Sequence, residues 1–247
     1  MTRLNLDTIA ATLEGLEETI IYRLIDRAQF KTNDTVYLPG QSGFRNGNDD
    51  KSLFELRLLY HEEIDARFGR FCVPEERPFC KNLPPKQREV TIPDPGLHIS
   101  NYDLVNLTPE IKKMYVDFIP KFCLPGNDLQ FGSSVEIDVY ALQAISRRIH
   151  YGALYVAECK YQNSPDDYKK LIKDVDKKGI LNLLTRKEIE MKIIERVKNK
   201  VAHVQSGVNL KVRRVIDPEV ILSFYHEYII PLTKEGEVLY LLNRNCE

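Results

Sequence analysis

Five polar side chains stand at helix positions where the surrounding sequence is apolar, and these residues are the best suited to chemistry. They are Arg148, Lys160, Glu190, Thr233 and Glu237. A charged side chain on a face that points into a helical bundle must meet water, an opposite charge or a charged ligand. The structural alternative is a buried ion pair between Lys160 and Glu190, with Thr233 bonded to a carbonyl. Because three separate helices show the same pattern, the sequence favours a polar pocket inside the bundle.

The residue types in this set limit the kind of reaction that the pocket would support. It contains cations, carboxylates and a hydroxyl, but no nucleophile–base pair, glycine-rich phosphate loop or metal-ligand spacing. The histidines are scattered, and His150, between Ile149 and Tyr151, is predicted to be a packed core residue. We therefore expect no metal site, and a reaction that needs only positioning and electrostatics.

The composition is that of an ordinary globular protein, with 43% hydrophobic and 29% charged residues among 247. A formal net charge of −1 provides no basic field, which argues against a nucleic-acid partner. No apolar run approaches the roughly 20 residues of a membrane span, and the first residues lack a signal-peptide core. The five cysteines form no CxxC pair, so we expect reduced thiols in a cytoplasmic protein.

One long helix, from about residue 135 to 162, is predicted to be the element around which the others pack. Its apolar residues step by three or four positions, which is the spacing of one helix face. The other elements predicted before residue 108 are a first helix, a second helix, a loop and a proline-rich surface excursion: Asn5–Ala28, Leu53–Phe68, 31–52 and 72–107. The second helix is expected to turn Ile64 inward.

The rest of the chain is punctuated by helix-start signals. A capping side chain with a proline or an acid after it occurs four times, at Thr108-Pro109-Glu110, Ser164-Pro165, Thr185 to Glu188 and Asp217-Pro218-Glu219. The second predicted helix of this group ends near Val175, and Pro231 should kink the last one. Strand-like alternation is nearly absent. The sequence therefore predicts an all-α, single-domain helical bundle spanning residues 1–247.

Several sequence blocks resemble the all-helical chorismate mutases of yeast and plants. They are LNL…LEETIIYRLIDRAQF near the start, GRF…PEERPF, FGSS, SRRIHYG…VAECKYQ and the closing IIPLTKEGEVLYLL. The blocks occur in order over nearly the whole chain. The resemblance implies an all-α homodimer without a cofactor, which rearranges chorismate to prephenate on the route to phenylalanine and tyrosine.

The same resemblance implies a role for each of the five polar residues. Arg148 would hold a carboxylate of chorismate, with Thr233 supporting a carboxylate. Lys160 and Glu237 would donate hydrogen bonds to the ether oxygen whose bond breaks, which requires a protonated Glu237. Glu190 would accept a hydrogen bond from the ring hydroxyl. Burial favours the protonated state of a carboxyl group, which agrees with the role of Glu237.

Three positions depart from the family pattern. The arginine of the first helix is Ala10 here, and an asparagine before Glu190 is Arg186, which is a candidate for binding substrate. One extra residue lies between the SRRIHYG and VAE blocks. In a regular helix this residue would set Arg148 and Lys160 about 120° apart instead of about 20°. We expect a π turn between Gly152 and Val156 to absorb it, because rotating either half would expose large apolar side chains.

These departures keep other functions open. A catalytically impaired relative would retain the fold to bind a partner or an aromatic metabolite. A helical interaction protein without a small-molecule pocket would pair Glu190, Glu237 and Lys160 with surface groups only.

A second, regulatory site is also implied by the resemblance. Regulated members bind tyrosine or tryptophan at the dimer interface, near a GRF arginine and an FGS turn. The matching residues here are Gly69, Arg70, Gln130, Gly132 and Ser133. The alternative is an ordinary surface arginine and an N-cap serine, which would give no allosteric response.

Overall fold

The protein, described by a computed structural model over residues 3–45 and 50–245, is all-helical in this part of the chain. Two isolated β-bridges are its only extended pairings there. This confirms the predicted fold class. The described ranges contain ten α-helices: α1 (Leu6–Arg27), α2 (Leu53–Phe68), α3 (Thr108–Phe122), α4 (Phe131–Tyr151), α5 (Ala157–Asn163), α6 (Pro165–Lys173), α7 (Lys177–Leu184), α8 (Lys187–Ser206), α9 (Pro218–Phe224) and α10 (Ile230–Asn243).

The helix expected at about 135–162 is present and organises the fold. It runs from Phe131 to Asn163 as α4, a π turn at Gly152–Val156 and α5. The predicted π turn is therefore confirmed. The apolar stripe of α4 is buried along its length, and α1, α2, α3 and α10 all pack against this helix.

Two apolar cores lie along this helix. The larger joins α1, α3, α4, α8 and α9, and the smaller joins the π turn, α5, α6, α7 and α10. Arg148 belongs to the part of the helix in the larger core, and Lys160 lies beyond the π turn in the smaller. The candidate site is thus placed where the helix passes from one core to the other.

The final helical segment contains a second π turn, at Tyr225–Ile229 between α9 and α10. Pro231 follows it as the second residue of α10. A proline has no N–H to donate inside a helix, so the backbone must adjust next to it. In place of the predicted continuous helix with a kink at Pro231, the structure has this wide turn directly before the proline.

One of the four predicted helix starts is confirmed with its capping bond. The Asp217 carboxylate accepts the N–H of Glu219 at 3.0 Å. Thr108, by contrast, is the first residue of α3 and not its cap, and Asn106 accepts the Thr108 N–H at 2.9 Å. Ser164 does precede α6, but its side chain makes no capping bond.

The capping box predicted from Thr185 is wrong. Thr185 ends α7, and its hydroxyl donates to the Leu181 carbonyl at 2.8 Å. Arg186 is the N-cap residue of α8. The sequence reasoning missed α7 because Lys177–Leu184 is short, and a threonine hydroxyl can bond a carbonyl four residues back as readily as it caps a new helix.

The predicted excursion over 72–107 is ordered by buried polar contacts. The buried carboxylate of Glu62 on α2 accepts the N–H groups of Phe79 at 2.9 Å and Cys80 at 2.7 Å. A buried carboxylate without such donors would be costly, so these bonds fix the excursion against α2.

Further predictions concern side-chain exposure and thiols. The expectation that Ile64 points inward is wrong, because 59% of it is exposed. Part of the predicted loop, residues 46–49, and Cys246 lie outside the described ranges. The other four cysteines are free thiols. Among the described helices, none is long and apolar enough to cross a bilayer.

Candidate active site

The centre of the candidate site is an ion pair between α5 and α10. Lys160 Nζ lies 2.9 Å from Glu237 Oε2 and also donates to the Leu184 carbonyl at 3.0 Å. Glu237 is buried. Burial raises the pKa of the Glu237 carboxyl above its ordinary value, and the positive charge of Lys160 opposes that rise. Glu237 therefore holds a proton more readily than a surface glutamate, beside a cation that can donate hydrogen bonds.

Arg148 is a buried cation with unused donors. Only 3% of it is exposed, and its Nη2 lies 3.5 Å from Glu17 Oε1. Its Nε and Nη1 have no protein acceptor within the described residues. A buried guanidinium group with two unmet N–H groups is unfavourable unless an acceptor binds there. The arrangement therefore suits an anionic ligand.

Thr233 faces Arg148 across Gly152. A Cβ atom placed on Gly152 would stand 2.7 Å from Thr233 Cγ2 and 3.2 Å from Arg148 Nη1. A side chain at this position would therefore displace Thr233 and crowd Arg148. The Thr233 hydroxyl donates to the Ile229 carbonyl at 2.7 Å, and its lone pairs remain able to accept.

Glu190 joins the site through a lysine that sequence reasoning missed. Lys234 forms an ion pair with Glu190, at the start of α8, and its charge also lowers the pKa of Glu237. Lys234 could have been identified from its position between Thr233 and Glu237, on a helix whose polar residues face inward. The predicted alternative, a direct Lys160–Glu190 pair, is wrong, because Lys160 pairs with Glu237.

A second missed residue is Glu17, which is fully buried on α1. Arg196 donates to both its carboxylate oxygens, at 2.9 and 2.8 Å, and Lys200 lies 3.7 Å away. Together with Arg148 this gives one buried carboxylate three cationic neighbours. Its position on the apolar stripe of α1, four residues after Leu13, was the signal that would have identified it.

His150 behaves as predicted, as a packed core residue. It is fully buried, its Nε2 accepts the Leu107 N–H at 3.0 Å, and its Nδ1 lies 2.8 Å from the Ser146 carbonyl. Burial lowers the pKa of His150 to about 4. This residue stays neutral near pH 7 and positions the start of α3.

Comparison with known proteins adds the family. No family model matches the chain. The chorismate mutase of Schizosaccharomyces pombe is 38% identical over 98% of this chain and 97% of its own length. The chain belongs to the chorismate mutase family. A crystal structure of the Candida albicans chorismate mutase in complex with L-Trp superposes with a TM-score of 0.88 at 37% identity, covering 97% of this chain and 91% of that one.

A further similar structure, AtCM1 with tyrosine bound in its allosteric site, has a TM-score of 0.87 at 35% identity, covering 97% of this chain and 96% of that one. These similarities extend over nearly the whole chain, so the resemblance read from its sequence blocks is confirmed.

The two side-chain departures from the chorismate mutase pattern, Ala10 and Arg186, are both exposed. Ala10 is exposed on α1. Arg186 is exposed at the start of α8. Burial raises the pKa of the Tyr168 hydroxyl, the charge of Glu237 adds to that rise, and the charge of Arg186 opposes it. Arg186 and Glu237 therefore both act on Tyr168 through their charges, and the Arg186 side chain has no ion-pair partner among the described residues.

The residues predicted to bind an effector form two groups in one chain. Gly69 ends α2 with a positive φ of 82°, and Arg70 is paired with Asp65 at 2.8 Å and Glu76 at 3.0 Å. The second group is exposed at the start of α4: Gln130, Gly132 and Ser133. Arg70 also donates to Gln143, which is about 15 Å along α4 from the second group. One chain does not bring the two groups together.

Proposed function

We propose that the protein catalyses the rearrangement of chorismate to prephenate, on the route to phenylalanine and tyrosine, without a cofactor. The observation that carries this proposal is the pair of unmet N–H groups on buried Arg148, next to Thr233 and on the same helix as Lys160. Chorismate is a dicarboxylate, so it supplies the anion that this cation lacks. Its rearrangement needs no nucleophile, in agreement with the residue types present.

The residues would act by holding the substrate and stabilising charge. Arg148 and Thr233 bind one carboxylate and fix the compact chair-like conformer. Lys160 and protonated Glu237 donate to the ether oxygen, which gains negative charge as its bond breaks. Glu190, held by Lys234, accepts from the ring hydroxyl. We assign the second carboxylate to Arg186, whose guanidinium group is not paired within the described residues.

The test is the loss of chorismate absorbance with purified protein, measured for the wild type and for Arg148→Ala. We expect turnover by the wild type and a loss of at least about 100-fold in kcat/KM for Arg148→Ala, because a preorganised cation is removed. The matched control is Arg213→Ala, which removes an arginine paired with Asp26 on the surface and should keep full activity.

The alternative, a catalytically impaired relative, was suggested by Ala10 and by the extra residue. The extra residue no longer supports this alternative, because the π turn absorbs it and Lys160 still pairs with Glu237. A wild-type protein that binds chorismate in calorimetry without consuming it would favour the alternative.

We also infer a homodimer with an aromatic amino acid site at its interface, in a cytoplasmic protein. Support for the dimer comes from α2, which exposes Tyr60, Ile64 and Phe68 on one face, at successive i, i+4 positions. The separation of the two groups of effector residues suggests that each site draws on both subunits. Four free thiols agree with a reducing compartment.

The effector proposal has its own test. Tryptophan or tyrosine should change the rate of chorismate loss in the wild type, and Arg70→Ala should abolish that response while leaving substantial activity. Arg213→Ala should respond like the wild type. An Arg70→Ala variant with an unchanged response would remove Arg70 from the effector site.

A further inference from the structure

Glu158 is a fully buried carboxylate that the proposed mechanism does not use. It lies on α5, two residues before Lys160. A buried charge is costly unless it is paired and hydrogen-bonded. Burial raises the pKa of the Glu158 carboxyl, but the hydrogen bonds and charge of Arg244, with the hydrogen bond from Tyr240, hold that pKa below its ordinary value. Glu158 therefore stays ionised near pH 7 and is not suited to donate a proton.

The donors to Glu158 come from three other parts of the chain. From α10, the Tyr240 hydroxyl donates to Oε2 at 2.6 Å. From the segment after α10, Arg244 Nε donates to Oε2 at 2.8 Å and Nη2 to Oε1 at 3.1 Å. From the excursion after α2, His98 Nδ1 lies 2.8 Å from Oε1, and the His98 N–H donates to the Tyr240 hydroxyl at 3.0 Å. One buried charge thus joins α5 to α10 and to two further segments.

Two side chains of α5 contact α10, and they point in nearly opposite directions. Lys160 pairs with Glu237 at 2.9 Å, and Glu158 accepts from Tyr240 at 2.6 Å. Residues two positions apart on an α-helix point about 200° from each other. Because the two contacts lie on opposite sides of α5, together they oppose rotation of this helix about its own axis. Loss of the Glu158 contact would leave α5 free to turn Lys160 away.

The Glu158 contact matters most when substrate is bound. In the proposed mechanism Lys160 and protonated Glu237 both donate to the ether oxygen. Their ion pair then no longer holds α5 on α10. The bonds from Tyr240 and Arg244 to Glu158 do not involve the substrate, so they hold α5 throughout the reaction.

A backbone contact offers a competing support for the same region. A Cβ atom on Gly236 of α10 would stand 2.5 Å from the Ala153 Cβ, so the two backbones are close there. Ala153 lies in the π turn, five residues before Glu158. This contact fixes the π turn on α10, whereas Glu158 lies on α5 itself, next to the residue that must be positioned.

We propose that Glu158 is a positioning residue for catalysis: bonded to Tyr240 and Arg244, it fixes α5 against α10 and thereby holds Lys160 at the substrate. The inference rests on the proposed mutase function, in which Lys160 donates a hydrogen bond to the substrate. Glu158 points away from Lys160 and acts only through the position of their common helix.

The first test is the activity of Glu158→Gln, which removes the charge and keeps the size of the side chain. We expect kcat to fall about 10- to 100-fold, as for a misplaced catalytic group. KM should change little, because Lys160 acts mainly in the transition state. The matched control is Glu62→Gln, which removes the charge of another fully buried carboxylate, on α2, and should keep the wild-type kcat.

The pH profile separates positioning from a general loss of stability. Burial raises the pKa of Glu237, and the charge of Lys160 opposes that rise, so the pKa should rise further when Lys160 moves away. Because activity needs protonated Glu237, its decline at high pH should shift to higher pH in Glu158→Gln and stay in place in Glu62→Gln. The other groups that interact electrostatically with Glu237 lie outside α5: Arg148, Tyr168 and Lys234.

Chemical labelling of Lys160 tests its position without turnover. Its side chain is 19% exposed, so its rate of acylation by a water-soluble reagent, followed by peptide mass spectrometry, reports whether it leaves Glu237. We expect faster labelling in Glu158→Gln and the wild-type rate in Glu62→Gln. A wild type without turnover would overturn the proposed function, while the labelling rates would still decide whether Glu158 positions Lys160.

A milder variant, Tyr240→Phe, keeps the test valid if Glu158→Gln does not fold. It retains the ring and removes one bond between α10 and Glu158, so kcat should fall about 2- to 10-fold and Lys160 labelling should be faster than in the wild type. Its matched control is Gln162→Leu, because Gln162 donates to the same carboxylate at 3.0 Å from within α5. That control should keep the wild-type kcat and labelling rate.

Two results would overturn the proposal. One is a wild-type rate of Lys160 labelling in both Glu158→Gln and Tyr240→Phe, which would mean that the contact between the π turn and α10 is sufficient to position α5. The other is equally fast labelling in Glu62→Gln, which would mean that loss of any buried carboxylate loosens the site.

Discussion

At the scale of single residues, the proposed mechanism makes the pH range of activity depend on the protonation of Glu237. The groups that act on this carboxyl are Lys160 and Arg148 from the central helix, Lys234 from its own helix, and Tyr168 from α6. Burial has the largest effect and raises the pKa of Glu237, so the protonated form persists to higher pH than for an exposed glutamate.

The sign of the pH dependence follows from this protonated form. Since the proposed mechanism needs this proton for donation to the substrate, activity should be full below the pKa of Glu237 and fall as the pH rises through it. Glu237→Gln should keep activity and extend it to higher pH, because an amide donates without titrating. The measurement is kcat/KM for both proteins between pH 5 and 9. A glutamine variant that is inactive at every pH would mean that the carboxylate is the working form.

A second residue-scale prediction concerns the close contact over Gly152. The side chain of Gly152→Ala would press on Thr233 and on the Arg148 guanidinium, so we expect kcat/KM to fall about 10-fold or more as Arg148 is displaced. Gly15→Ala is the matched control, because nothing lies within 4 Å of its added Cβ. That control should keep activity and raise the free energy of unfolding by up to about 1 kcal/mol. Equal activity of the two variants would contradict the packing at Gly152.

At the scale of elements, α1 and α4 are joined by a buried ion pair. Arg27 Nε donates to Asp138 Oδ1 at 2.7 Å, and the hydroxyl groups of Tyr37 and Tyr115 complete the coordination of Asp138 at 2.6 and 2.7 Å. Both charged side chains are fully buried. Each of the two charges needs the other, because either one alone would be buried without an opposite charge.

Replacing one partner tests how much this buried ion pair contributes to stability. Asp138→Ala leaves Arg27 buried without its carboxylate, so we expect a loss of about 3–5 kcal/mol in the free energy of unfolding, measured in urea. The surface pair of Arg213 and Asp26 offers the control, and Asp26→Ala should cost no more than about 1 kcal/mol. Equal losses of unfolding free energy in the two variants would show that the buried pair stabilises the protein no more than the surface pair does.

The elements also show how far the sequence alone could predict the structure. The long helix and the first two helices followed from periodicity, because each is long and buries a continuous stripe. The π turn followed from one extra residue relative to the chorismate mutase blocks, together with the apolar stripes on both sides of it. Helix starts were less predictable: the hydroxyl of Thr185 bonds backward to Leu181 instead of capping α8. Short-range bonding choices of this kind depend on tertiary packing, which local sequence does not contain.

The candidate site, too, could be predicted only in part from the sequence. Polar residues on inward stripes identified Arg148, Lys160, Thr233 and Glu237, but the partner of each cation could not be read from one helix at a time. The pairing of Glu190 with Lys234, in place of Lys160, is such a case. The pairing of charged side chains depends on how helices that are far apart in sequence approach each other.

At the scale of the whole molecule, the exposed face of α2 predicts assembly. Phe68 is 67% exposed and Ile64 59%, which is unusual for large apolar residues lying on one face. Ile64→Asp should convert a dimer to a monomer in sedimentation or light scattering, because a charge would be buried at the interface. Leu210→Asp, on an exposed loop residue, is the control and should leave the mass unchanged. A wild type that is already monomeric at micromolar concentration would rule out this interface.

The π turn also affects how this chain should be aligned with others. Relatives whose two cations lie eleven positions apart must receive a one-residue gap, and the placement of that gap decides which residue of this chain is aligned with their lysine. A gap opened after Cys159, or none at all, would match the buried thiol of Cys159 to that lysine and suggest a lost function. A gap opened within Gly152–Val156 aligns Lys160 with the lysine of the relatives. An insertion that appears disabling in a text alignment is, in three dimensions, confined to one turn of one helix.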